Sequence, residues 1–110
     1  MAISITTPSG AHEGAAIHGG TASKFTIKRI QLDDSYPTGG EAVSAGDLGF
    51  KSLHMVICDT ESSGYVAQYD YSNEKIEMWE AGADGAALDE VANTTDLSAV
   101  YIRVLAYGIA

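Results

Sequence analysis

Ala99-Val-Tyr-Ile-Arg-Val-Leu-Ala-Tyr107 is the stretch on which the fold turns. Val100, Ile102, Val104 and Ala106 share one parity, and Tyr101, Arg103, Leu105 and Tyr107 share the other. A period of two carried by β-branched and aromatic side chains predicts a strand. Both parities are largely apolar, so this strand is expected at the centre of a sheet.

Working back from it, Tyr65-Val-Ala-Gln-Tyr-Asp-Tyr71 and Lys75-Ile-Glu-Met-Trp79 flank the polar turn Ser72-Asn-Glu74 and predict a hairpin. Leu53-His-Met-Val-Ile-Cys58 is apolar on both parities and predicts a buried strand. In Lys24-Phe-Thr-Ile-Lys-Arg-Ile-Gln-Leu32, Phe25 and Ile27 share one parity while Ile30 and Leu32 share the other. That switch predicts a bulge, or a strand passing between sheets, at Lys28-Arg29. Asp33-Asp-Ser-Tyr-Pro-Thr-Gly-Gly40 and Ala81-Gly-Ala-Asp-Gly-Ala86 are loops, and residues 87–92 are left open between a helical turn and none.

Short strands at this spacing, with almost no helix, predict an all-β domain over residues 24–110, an antiparallel β-sandwich or jelly-roll-like barrel. Residues 1–23 differ in texture: glycine, alanine, serine and threonine, with Ile3, Ile5 and Ile17 as the few large apolar side chains. They are expected to form an extended N-terminal arm, ordered mainly by what it lies against.

The chain has 110 residues, one domain's worth, and its 6 basic and 15 acidic side chains leave a formal charge of −9. Nucleic acid and anionic membranes both ask for a basic face, so neither is an expected partner. No run of apolar residues is long enough to cross a bilayer, and residues 1–20 carry neither Lys nor Arg, so no secretory signal is expected. One cysteine, Cys58, excludes an internal disulfide framework.

No catalytic constellation is legible. His54 and Cys58 share a parity four residues apart, about 13 Å along a strand, too far for a thiolate pair. His54 reads as a core histidine and Cys58 as a small buried hydrophobe. His12, Glu13 and His18 lie in the arm, and Asp33-Asp34, Asp59 with Glu61, and Asp84 with Asp89-Glu90 are acidic loops. None has the spacing of a metal or calcium loop, so no metal and no cofactor is expected. Thr94 or Thr95 of Asn93-Thr-Thr95 is expected to fix a turn through its hydroxyl. Tyr65, Tyr69 and Tyr71 share one parity, with Trp79 across the hairpin. They suit a sugar-stacking platform or, more commonly, cross-strand packing.

Seven segments in order carry a family resemblance. They are Tyr36-Pro-Thr-Gly-Gly-Glu-Ala42, Asp47-Leu-Gly-Phe50, Gly64-Tyr-Val66, Tyr69-Asp70, Glu90-Val-Ala-Asn93, Thr95-Asp-Leu-Ser98 and Ile102-Arg-Val-Leu-Ala106. Together they resemble the small head structural proteins of tailed bacteriophages known as decoration or cement proteins. The likeness runs from about Lys24 to the C-terminus and excludes the arm. It implies a non-enzymatic domain, made in the host cytoplasm, that clusters on the outer surface of the virion capsid, often as homo-oligomeric trimers. The major capsid protein would be its partner, and its role would be to stabilise contacts between capsid subunits. The alternative is a host-surface or glycan-binding β-sandwich module that uses Tyr65, Tyr69, Tyr71 and Trp79. Candidate partner-binding residues are Ile3, Ile5 and Ile17 of the arm, Tyr36 and Pro37, and those four aromatics.

Overall fold

The computed structural model describes residues 3–8, 14–18 and 21–109, with backbone alone for 14–18 and 21–22. The chain is mostly β, in two antiparallel sheets. Its strands are β1 (Ser4–Thr6), β2 (Gly14–His18), β3 (Thr21–Gln31), β4 (Glu41–Ala42), β5 (Ser52–Asp59), β6 (Val66–Asp70), β7 (Lys75–Glu80), β8 (Asp89–Glu90) and β9 (Tyr101–Ile109). The helical content among the described residues is one 3-10 turn, Gly46–Leu48. Residues 87–92 hold β8 and no helical turn.

The first sheet runs β1–β3–β9–β5, with β2 also on β3. As the alternation in residues 99–107 predicts, β9 is central, paired with β3 from Ser23↔Ile109 to Gln31↔Tyr101 and with β5 on its other side. The arm's two strands lie end to end along the free edge of β3, β1 opposite residues 29–31 and β2 opposite residues 21–25. They occupy backbone donors and acceptors that would otherwise stand open at that edge. Ile3 and Ile5 are partly buried against the core.

The second sheet is built on the predicted hairpin. β6 and β7 pair from Val66↔Trp79 to Asp70↔Lys75, leaving a four-residue turn. Along the other edge of β7 sit two very short strands, β4 opposite Lys75 and Ile76, and β8 opposite Trp79 and Glu80. The inner faces of both sheets feed one core: Ile30, Ile102, Val104 and Ala106 from the first, Ile76, Met78 and Tyr69 from the second, closed by Leu32, Val43, Leu48, Val91 and Leu97.

Three expectations need correction. β3 carries no bulge, because its pairing with β9 runs without a register shift. The parity switch instead marks two faces, with Phe25 exposed and Ile27 half-buried outside while Thr26 and Ile30 face the core. The irregularity lies in β5, between Leu53 and Met55. β5 is also not a buried strand: Met55 and Ile57 are 54% and 52% exposed, and Val56 alone is fully in the core. Phe25, Met55, Ile57, Leu105 and Tyr107 stand 39–54% exposed on the outer side of this sheet, so much of its apolar parity faces water. The bulge finally removes the shared parity of His54 and Cys58. His54 is exposed and stacks beside the Tyr107 ring at 5.9 Å, whereas Cys58 is half-buried, with burial raising its thiol pKa to about 11.

Candidate interaction surfaces

Three of the seven segments that carry the resemblance converge: 36–42, 90–93 and 95–98. Tyr36 N–H donates to the Thr95 carbonyl at 2.9 Å, Thr94 N–H donates to the Tyr36 carbonyl, and Leu97 N–H donates to the Asp33 carbonyl at 3.0 Å. Gly39 N–H donates to Glu90 Oε2 at 2.8 Å and Thr38 N–H to Asn93 Oδ1 at 3.3 Å. Residues 33–40 and 90–98 are thereby stitched together across more than fifty positions of chain. The Thr95 hydroxyl closes its own turn on the Ala92 carbonyl at 2.7 Å, the role expected for it.

Tyr36 is the centre of this knot, and it is fully buried. Its hydroxyl donates to Glu90 Oε2 at 2.8 Å and accepts from Met78 N–H at 3.0 Å. Met78 falls between the residues of β7 that pair with β4 and those that pair with β8. The phenol fills the gap between two short strands and supplies the ladder partner that neither provides. Burial raises the pKa of that phenol above its ordinary value, so it remains a donor. A side chain with no exposed surface cannot touch a partner, so Tyr36 is a structural residue and leaves the candidate contact set. Gly40 completes the knot: its φ is +113°, and an added Cβ would lie 2.6 Å from the Ile76 carbonyl oxygen.

The other candidate residues do not form one face. Pro37 is exposed on the loop. Tyr69 points into the core and donates to the Val43 carbonyl at 2.6 Å, with Tyr71 edge-on to it at 5.2 Å. Tyr65 is half-buried against the core. Trp79 pairs with Val66 on the opposite side of the hairpin from Tyr69, so the four aromatics make no common platform. Tyr69 and Tyr71 instead line an open cleft of about 250 Å³ with Lys51, Ser52, Leu53 and Glu74. The side chains of Ile17 and His18, and the whole of His12 and Glu13, lie outside the described residues. Among the described residues no three metal-ligating side chains converge. Several acidic groups are already engaged, Glu90 by Tyr36 and Gly39, and Glu61 by two arginines.

The second apolar parity of residues 99–107 opens onto the outer face of β3, β9 and β5. Register places Phe25, Tyr107 and Met55 in one row across the three strands, and Ile27, Leu105 and Ile57 in the next. Phe25, Leu105 and Tyr107 are each about two-fifths exposed. A third row is ionic: Arg29 lies opposite Arg103, and Arg103 opposite Asp59. Glu61 bridges the two arginines, accepting from Arg29 Nε at 2.9 Å and Arg103 Nε at 3.1 Å. The Arg29 guanidinium also covers the Tyr101 ring at 3.9 Å. Hydrogen bonding from Arg29 and then Arg103 lowers the Glu61 carboxyl to about 2.

Glu41 is the opposite case. It faces inward from β4, is 8% exposed, and its Oε1 has no hydrogen-bond partner among the described residues. Burial first, and the neighbouring Asp33 second, raise its pKa to about 7. The folded chain therefore holds a proton that the unfolded chain releases near the ordinary carboxylate value, and stability falls as pH rises from about 4.5 to 7. The steepest slope for one proton is about 1.4 kcal/mol per pH unit. Glu61 works in the other direction below that window, losing its contribution as pH falls through about 2. Urea titrations across pH are expected to peak near pH 5, and Glu41→Gln to flatten the alkaline limb and raise stability at pH 8.

No protein-family model matches the chain, and neither a curated protein nor a solved structure matches it.

Proposed function

We propose that this chain is a capsid decoration protein, a jelly-roll-like β-sandwich that binds the outside of a tailed-phage head and stabilises contacts between major capsid subunits. The observation that carries the reading is the meeting of three of the seven resembling segments, 36–42, 90–93 and 95–98. These residues are joined to each other by hydrogen bonds in one knot around Tyr36, so this part of the likeness rests on a unit of structure. The acidic surface suits a protein that stays dispersed until it meets a finished lattice. Contacts that form only on the assembled shell deepen that state by mass action and offset the outward pressure of packaged DNA. A few kcal/mol per copy suffices, because the lattice repeats the contact over many sites.

Particles assembled without this chain are expected to form normally but to release DNA at lower temperature, with host adsorption unchanged. Thermal release and adsorption assays on depleted and complete particles check this. Normal heat stability with defective adsorption would overturn the reading and favour a glycan-binding module, whose site would then have to be the Tyr69–Tyr71 cleft rather than a face that includes Trp79.

A further inference from the structure

We propose that the outer face of β3, β9 and β5 is a docking surface for a second copy of this chain, joined face to face about a two-fold axis. Six large side chains in two registered rows, five of them 39–54% exposed and Ile27 partly so, leave on the order of 500 Å² of contiguous apolar surface uncovered. That is as large as the largest patches that monomers keep, and with the rim of Arg103, His54 and Tyr101 it approaches the roughly 800 Å² per partner of a stable interface. A three-stranded face of aliphatic and aromatic residues is self-complementary in the way that aligned sheets pack, about 10 Å apart.

Charge selects the occupant. The chain carries −9, yet the charged groups on this face are two arginines, Arg29 and Arg103, against Asp59 and Glu61. The face is neutral, whereas Asp70, Glu77, Glu80, Asp89 and Glu90 belong to the second sheet, across the core. Two like-charged copies can meet here with the acids of their second sheets held apart, and contact through most other surfaces opposes them. A basic or acidic foreign partner would find no complementary field on this face. A two-fold contact of this kind uses the whole patch on both copies, so through this face the free chain forms a dimer and not the trimer that the resemblance implies on a capsid. The inference does not depend on the capsid reading, because it concerns the free chain.

Sedimentation equilibrium of the full chain, from micromolar to near-millimolar concentration, tests it. The expected species has twice the 11.5 kDa chain mass. Ile57→Asp and Met55→Asp, both at exposed edge-strand positions, should each weaken association about 100-fold while circular dichroism keeps the native spectrum. Val66→Asp, equally exposed on the second sheet, should associate as the parent does. A parent chain that stays monomeric throughout overturns the proposal, as do β5 variants that associate normally. It is also overturned by variants that match a monomeric parent in solution but fail to attach to isolated capsids, which would assign the face to a capsid subunit.

Discussion

Tyr36→Phe should lower unfolding free energy by about 2–3 kcal/mol and the melting temperature by roughly 10–20 °C, although it removes one oxygen atom. The ring is fully buried and would stay where it is, so packing is nearly conserved. What is lost is the partner of Met78 N–H, which sits in the gap along β7 where no strand lies alongside. A buried amide left without an acceptor costs its desolvation, and Glu90 loses one of its two donors at the same time. Glu90→Gln should cost less, since an amide oxygen still accepts from Tyr36 and Gly39. Denaturant titration with an unchanged m-value checks both. A Tyr36→Phe protein as stable as the parent would mean that the hydroxyl does not bridge β4 and β8.

Ile102→Ala should cost about 2–5 kcal/mol, and Leu105→Ala, three residues along the same strand, about 1 kcal/mol or less. The chemistry removed is almost identical. The difference is the face: Ile102 has no exposed surface and packs where both sheets meet, whereas Leu105 is 41% exposed on the outer side. Thermal unfolding in dilute solution, below the concentration at which copies associate, compares them directly. Equal costs would show that both faces of β9 are covered in the folded monomer.

That contrast also marks how far the sequence could be read. The β class, the central place of β9, the hairpin of β6 and β7 and the loop at residues 33–40 follow from alternation and turn chemistry, because these are local properties of the backbone. Candidate contact residues were less legible. Tyr36 and Pro37 are adjacent in a loop, and nothing in their local pattern says that one is sealed in the core while the other faces water. Nor does parity alone separate Trp79 from the tyrosines across the hairpin, because a side chain's face depends on register.

By itself, then, the sequence determined which residues share a face, since side chains two apart along a strand point the same way whatever surrounds them. Only the tertiary structure decided which of two apolar faces is buried. Burial needs a second layer, and this chain supplies one, the sheet of β4, β6, β7 and β8, to one side of β9. Leu53–Cys58 reads as core on either parity until that layer is placed, and then Val56 goes in while Met55 and Ile57 stay out. The bulge that turns His54 outward and the meeting of Tyr36 with Glu90 are settled by the same long-range closure, in which residues distant in the chain compete for one volume.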